Sequence, residues 1–500
     1  MEVNPFLTVR YSLVALMTRT TILLPLAAFA LLSACAPDLG PMPQPRAEAS
    51  LASQKSFTAP ASEWPAQDWW TAYKDPQLNA LITEGLAGSP DTHIAEARVR
   101  EADAAAQQSG AALYPHLTAN GSVSEARQSL NQGFPKQFES FLPHGWHDQG
   151  QATGNAGYDL DLFGANRAAF AAATSDAEAA DVDLAAARLT LSTAVASAYA
   201  NLVQLVADRA AAQESLSERD QSTELVRQRQ SQQLENEGEL SQARSRSAGA
   251  KADLDLIDGQ IALARNQIAA LVGKGPDRGL DITLPTAVQL RAFGVPATLG
   301  VDLIGRRPDI VAAKLRAESA SSRIKVAHAA YYPNININGD LGYQALGLQN
   351  LISPASIIGQ IGPAISLPIF DGGRIEGGYR SARAQYDEAV ANYDKTLTQA
   401  LHDVADALAN QRELATELAD AKVALTESEN AYRIATLRYE GGLSRYLDVL
   451  TSEDTLVVQR RRVADLQARA FGEDVALVHA LGGGFETPAN DAGGGVSAKN

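Results

Sequence analysis

Five hundred residues with a net charge of −16, one cysteine and 6 % aromatics make a poor nucleic-acid binder and cannot hold an internal disulfide. No basic stripe offsets phosphate repulsion, and beyond the first forty residues no apolar run reaches the length of a spanning helix. The length admits two to four ordinary domains. Segments built from Ala, Leu, Gln, Glu, Arg and Ser, however, favour long helices with thin seams over one thick core.

The chain opens with an address. Met17-Thr18-Arg19-Thr20 followed by the apolar Ile22 to Leu32 reads as a signal peptide, residues 1–34, with Met17 an alternative start. It ends in Leu32-Ser33-Ala34-Cys35, which resembles the lipobox read by the lipoprotein-processing peptidase. Cys35 is therefore the candidate lipidation site, against the plainer reading of a buried thiol in a cleaved leader. A diacylglyceryl thioether and an N-acyl chain anchor through buried CH₂ groups at about 0.8 kcal/mol each, and this lipid is the sole non-protein group expected. Ala36 after the cysteine, in place of Asp, resembles lipoproteins released to the outer membrane. Residues 35–62, rich in Pro, Ala and Ser, form the tether.

Trp64, Trp69, Trp70 and Tyr73 precede Asp75-Pro76, a helix start, and a short amphipathic helix through Leu78, Leu81, Ile82 and Leu86. Ser89-Pro90-Asp91 opens a second helix that Pro115 ends. From Leu117 the period changes to two, with Leu117, Ala119, Gly121 and Val123 opposing Thr118, Asn120, Ser122 and Ser124. After a polar loop near 130–147, a partner segment alternates through Ala152, Gly154, Ala156, Tyr158, Leu160 and Leu162. A long run without Pro or Gly, about 165–236, predicts a helix; Glu237-Gly238-Glu239 is the expected turn, and a returning helix covers about 240–272. Pro285 to Pro296 is irregular, and Val301 to Gly305 is one helical turn.

The same sequence of elements then recurs. Pro308, Tyr332-Pro333 and Asn338-Gly339 stand 218 residues after Pro90, Tyr114-Pro115 and Asn120-Gly121, without a gap. The second copy continues with strands through Ile335–Tyr343 and Gln360–Ile369, a helix over about 374–440, a turn at Gly441-Gly442-Leu443, and a returning helix over about 443–481. In that last helix Leu443, Leu447, Leu450, Val457 and Ala464 fall at steps of three and four, broken by Asp454 and Arg461: a multi-helix wall with polar interruptions. A duplicated half-molecule follows: first repeat 63–281, equatorial connector 282–306, second repeat 307–482, and a Gly-rich polar tail 483–500. Each returning helix and the Pro-led helix of its half nearly equal the long helix in length, so end-to-end stacking is expected.

Four strands of this length, apolar on one side and polar on the other, fit tilted strands between lipid and a wet lumen. Half-buried soluble strands alternate in the same way. If they do span, one chain cannot close a barrel, whereas three chains supply twelve strands and leave an aqueous lumen.

Taken together, these pieces resemble the TolC-like outer-membrane factors, in particular the lipid-anchored OprM-like, NodT-type efflux subunits. The resemblance rests on the lipobox, Trp69-Trp70 before Asp75-Pro76, and Val295-Pro296 through Asp302-Leu303-Ile304-Gly305-Arg306-Arg307-Pro308-Asp309. Tyr332-Pro333, Phe370-Asp371-Gly372-Gly373, and Tyr439-Glu440-Gly441-Gly442-Leu443-Ser444 leading to Leu447-Asp448-Val449-Leu450 complete it. It implies an α+β membrane protein in which a homotrimer forms a twelve-stranded outer-membrane β-barrel continued by a periplasmic α-helical barrel. The implied function is a passive exit duct for small toxic compounds, docked to a periplasmic adaptor and an inner-membrane pump. Alternatives are the duct of a type I protein secretion system and, in a different class, a lipid-anchored periplasmic coiled-coil adaptor. No nucleic-acid partner and no enzymatic activity are expected.

The helix–turn–helix tips lie farthest from the strands and so form the expected mouth. By resemblance Asp448 lines it, three copies around one axis attracting cations, with the plainer reading of a solvated carboxylate beside it. Thr451 stands where relatives carry a further acid, and Arg445 is a candidate partner for a neighbouring carboxylate. In the first half Arg244-Ser245 is expected where Asp448-Val449 stands in the second, making the tips unequal. Gly238, Leu240, Gly441, Gly442, Leu443 and Ser444 are the adaptor-docking candidates. His144 and His147 have loose metal-ligand spacing but fall in a predicted loop, so no metal is expected.

Overall fold

The computed structural model describes residues 37–47, 51–53, 55–127, 129, 135, 137, 141, 144–285, 294–296 and 299–487. The expected signal peptide, Cys35, most of the 130–147 loop, much of the connector and the end of the tail lie outside the described residues. In chain order a 3-10 turn (Trp69–Tyr73) leads to α1 (Pro76–Gly88), α2 (Pro90–Ala111), β1 (His116–Ala126), β2 (His147–Asp159), the long α3 (Ala165–Ser231) and the returning α4 (Glu237–Leu271). Two short helices, α5 (Asp277–Leu280) and α6 (Leu299–Arg306), precede α7 (Pro308–Ala329), β3 (Asn334–Leu346), β4 (Ile357–Ser366), α8 (Arg374–Glu440) and α9 (Tyr446–Ala480).

Counterparts in the two halves match in length: 22 residues in α2 and α7, 67 in α3 and α8, 35 in α4 and α9. The Pro-led helices stand 218 residues apart (308 − 90), but the long helices stand 209 apart (374 − 165). The change falls inside the hairpins. His116 pairs with Gly157 and Asn334 with Ser366, so the second hairpin is nine residues shorter (41 against 32). The described residues divide into two compact units, one from 37–44, 101–177 and 315–390, the other from 45–100, 178–314 and 391–487.

The first unit holds the sheet. Its order is β1-β2-β3-β4, antiparallel throughout, and β2 against β3 joins the two halves. The register aligns Leu117, Ala156, Gly339 and Ile361 in one row and Ala119, Gly154, Leu341 and Gly359 in another on the same face. Thr118, Asn155, Asp340 and Gln360 form a row on the opposite face. The period-two pattern is thus a property of the whole sheet, and a one-residue slip of any strand would mix the faces. Leu117, Leu341 and Ile361 are 79 %, 68 % and 83 % exposed, so the apolar face is the open one. Gly342 is required by close approach, since an added Cβ would lie 2.1 Å from the Ala152 carbonyl oxygen. β4 begins at Ile357 and ends at Ser366, short of the expected Ile369, where Pro368 has no N–H to offer a ladder. Beneath the strands Phe163 stacks on Tyr332 at 4.6 Å, and Ala317, Ala320 and Ile324 of α7 pack on Ala382, Tyr386 and Val390 of α8.

The second unit is helical. Asp75 caps α1, accepting from the N–H groups of Gln77 (2.8 Å) and Leu78 (3.1 Å) and from the Tyr199 hydroxyl (2.7 Å). Leu78, Leu81 and Ile82 then bury against Val195, Tyr199 and Leu202 of α3 and Phe471 and Val475 of α9. An eighteen-residue stretch of α3 is long and apolar enough to cross a membrane, contrary to expectation, but half of it is buried inside the protein.

End-to-end stacking is observed. α4 closes at Gly273 (φ +74°), where an added Cβ would stand 2.6 Å from the Gly88 carbonyl oxygen at the end of α1 and 3.1 Å from Pro90, the first residue of α2. α9 closes at Gly482 (φ +87°) in the same way against Arg306, the last residue of α6, and Arg307, which precedes α7. Only a residue without Cβ fits such a left-handed close approach. The second junction carries an addition. Buried Arg307 donates to Asp309 (2.6 Å), Asp403 (3.0 Å) and the Ala480 carbonyl at the end of α9 (3.2 Å). One guanidinium thereby ties α7, α8 and α9 together. Replacing Arg307 with Ala is expected to destabilise this junction by about 1.5–3 kcal/mol, the range for hydrogen bonds to charged groups, read as an earlier thermal loss of helical circular dichroism; an unshifted midpoint would show the junction to be held by apolar packing alone.

Candidate functional site at the helix hairpin tips

Both tips close by the same backbone device. The N–H of Leu234 donates to the Arg229 carbonyl (2.9 Å) and that of Gln233 to Gln230 (2.9 Å). In the second tip Leu443 donates to Arg438 (2.8 Å) and Gly442 to Tyr439 (2.9 Å). These paired bonds cap the last carbonyls of a helix and demand one left-handed residue. It is Gln233 (φ +61°) in the first tip and Gly442 (φ +71°) in the second. The left-handed conformation costs a residue with a Cβ about 1 kcal/mol, which the glutamine bears and the glycine does not.

The tips therefore correspond at the same offset of 209 as their helices, and this corrects the expected alignment. The first reversal is Gln232–Asn236, not Glu237-Gly238-Glu239. Gly238 is the second residue of α4, and buried Leu240 packs with Val226, Ala243, Tyr439 and Tyr446. Glu239, not Arg244, is the counterpart of Asp448. The glycine misled because a glutamine makes the turn, while Gly238 sits in the first helical turn of α4. At the surface are Leu234 and its counterpart Leu443, 60 % and 74 % exposed, with Gly441, Gly442 and Ser444 in the turn.

Each returning helix begins with an acid that bonds its own start. Glu239 accepts from the Asn236 N–H (3.1 Å) while Asn236 accepts from the Glu239 N–H (3.1 Å), a reciprocal capping box. Asp448 accepts from the Arg445 N–H at 3.3 Å. Asp448 and Arg445 are both exposed on the single chain, and Asp448 has this capping duty whatever else it does. His147 opens β2, its Nε2 2.9 Å from the His144 carbonyl oxygen.

What sequence reasoning missed is the contact that holds the hairpins together. Arg229 of α3 donates to the Tyr439 carbonyl of α8 (3.2 Å), lies 4.6 Å over the Tyr439 ring, and pairs with Glu235 at 3.4 Å. Burial, then the neighbouring Glu235, holds the Tyr439 hydroxyl far above its ordinary value; burial and the adjacent Glu239 raise Glu235. Farther along, Arg219 of α3 binds the fully buried Glu453 (3.0 Å) and reaches Asp454 (3.3 Å), which Arg246 of α4 also holds (2.6 Å). The polar interruptions of the α9 seam are thus paired, Arg461 finding Asp253 at 3.1 Å. Burial raises Glu453 despite Arg219, and its Oε2 has no hydrogen-bond partner among the described residues. Tyr446 is pushed up to about 12, chiefly by burial and secondly by the Glu453 charge. The 209-residue offset was the available signal for the turn; no local motif marks Arg229 or Glu453.

One unit thus carries a four-stranded sheet with an open apolar face, and the other carries two helix hairpins that share an apolar and ion-paired tip. The chain belongs to the Outer membrane efflux protein family, matching it over residues 81–274 and 299–483. It is 28 % identical over 448 residues to the multidrug resistance outer membrane protein MdtP of Shigella flexneri, covering 85 % of this chain and 88 % of that protein. To the cation efflux system protein CusC of Escherichia coli K12 it is 28 % identical over 465 residues, covering 92 % and 99 %. The solved outer membrane protein VceC of Vibrio cholerae superposes with a TM-score of 0.80 at 43 % identity, covering 85 % of this chain and all of that one. This chain is accordingly a subunit of an outer-membrane efflux channel.

Two outcomes are expected at the tip. Arg229→Ala should speed amide exchange in residues 225–240 and 432–446 together, since one side chain serves both hairpins; exchange confined to α3 would refute the bridging role. The raised value of Glu453 means that the folded tip binds a proton more strongly than the unfolded chain. That stabilisation is complete below the unfolded value and is lost as pH rises through the folded one. Protection of residues 446–454, corrected for intrinsic exchange, should therefore fall with rising pH across that window, and Glu453→Gln should flatten the dependence. A variant that keeps the wild-type response would assign it to another group.

Proposed function

We propose that three copies of this chain close one conduit, twelve strands in the outer membrane over a ring of helices in the periplasm. One observation supports this above the others: the four-stranded sheet has an open apolar face and, among the described residues, ends in two unpaired edges, β1 and β4. In hydrocarbon each unpaired backbone group costs several kcal/mol, roughly, so the edges must be satisfied by other chains.

In this reading the duct is passive and serves small toxic compounds, in keeping with relatives named for multidrug resistance and cation efflux. An inner-membrane pump supplies the energy, and a periplasmic adaptor docks on the tips. Leu234, Leu443, Gly441, Gly442 and Ser444 present the contact surface; Gly238 borders it and Leu240 supports it from beneath. A lipid on Cys35 adds a second hold on the outer membrane. Asp448 from each copy rings the mouth and favours cations, with Arg445 placed to meet a carboxylate of the next copy.

Asp448→Asn separates charge from structure, because the amide oxygen still accepts from the Arg445 N–H. In planar bilayers it is expected to lower the cation-to-anion permeability ratio several-fold with folding intact; an unchanged ratio would remove Asp448 from the pore. Deleting the gene should sensitise cells to a panel of toxic compounds, with no change across the panel counting against an efflux duct.

A further inference from the structure

The internal duplication carries enough information to specify how one copy meets the next. Between the halves, β2 pairs with β3 and sets Gly157 against Asn338. Gly157 and Ser366 are counterparts, since each pairs with the first residue of the strand before it, His116 and Asn334. Asn338 and Asn120 are counterparts at the 218-residue offset (338 − 120). β2 is thus to β3 as β4 is to the β1 of another copy. We propose that β4 pairs antiparallel with β1 of the next copy in the register that places Ser366 opposite Asn120, Ala364 opposite Ser122 and Gly362 opposite Ser124. This rests on the closed-barrel reading above and adds to it a single register among many that closure alone would permit.

Two features of the sheet agree with that register. It brings Ser366, Ala364 and Gly362 to the face of Asn120, Ser122 and Ser124, while Ile365 and Pro363 join Gly121 and Val123 on the apolar face. Any shift by one residue sets apolar against polar along the seam. Pro363 supplies the second. In the β2·β3 ladder the Leu160 N–H donates to the Ile335 carbonyl (3.1 Å), and hydrogen-bonded pairs alternate from there, so Gly154 belongs to that set. Gly154 is the counterpart of Pro363 (363 − 209). The proline therefore occupies a position whose N–H would point to the next copy, leaving the β3·β4 ladder intact and protecting the edge before assembly. The completed seam lacks one bond, from Pro363 to Val123, that the β2·β3 seam has at Gly154 to Leu341.

The test is cysteine crosslinking of the full-length protein in outer membranes. Ala364 and Ser122 fall in a non-hydrogen-bonded pair, about 4.5 Å between Cα atoms and so within the range of a disulfide, about 4.4–6.8 Å. The double variant Ala364→Cys with Ser122→Cys should oxidise to a covalent three-chain species, with roughly tenfold more product than Ala364→Cys with either Asn120→Cys or Ser124→Cys, whose diagonal spacing is less favourable. Each single variant controls for Cys35. If three-chain particles form and a shifted pair crosslinks best, or no pair crosslinks, the register is overturned while the barrel reading stands. If light scattering in detergent finds only single chains, the barrel reading fails and takes the register with it.

Discussion

Everything about the sheet unit follows from the cost of an unpaired backbone group out of water. A strand edge offers alternating N–H and C=O groups, and lipid answers neither. The described chain pairs β1 to β2, β2 to β3 and β3 to β4, which satisfies the inner ladders and leaves two edges. The apolar face cannot be tucked away either, because the small residues along it (Ala119, Gly154, Gly339, Gly359) build no thick core. Such a sheet is stable only as part of something larger, and its polar face then lines what the larger object encloses.

The helical unit answers a different constraint. Helices of 67 residues have thin seams, so stability comes from many small contacts spread along their length and from a few tight junctions. Gly273 and Gly482 let the returning helices abut the Pro-led ones without a break in packing. Arg307 reinforces only the second junction; its counterpart in the first half is Ser89. Duplication has therefore conserved the backbone geometry while allowing the side-chain solution to diverge.

At the tips the divergence has energetic consequences. Gln233 accepts a left-handed conformation that Gly442 adopts freely, and Asn236 completes a capping box that Arg445 cannot, having no acceptor in its side chain. Glu453 is a fully buried carboxylate with one oxygen bonded to Arg219 and the other bare. A buried pair of this kind adds little net stability over an apolar substitute. What it provides is a direct tie between α3 and α9 and sensitivity to protonation.

The order of elements, the duplication, the four alternating strands and the long helices were all legible in the sequence, because each depends on local periodicity and on Pro and Gly punctuation. Pro90, Pro115, Pro308 and Pro333 bound their helices through chain sterics that no tertiary contact alters. The position of the first turn was not legible in its own residues, since Gln233 is left-handed because the capping bonds outweigh its local preference; only the 209-residue offset between the halves marks it. The Arg229 and Arg219 links and the burial of Glu453 belong to the tertiary structure alone: they join residues more than 200 positions apart, and neither period nor spacing records which face of one long helix will meet another.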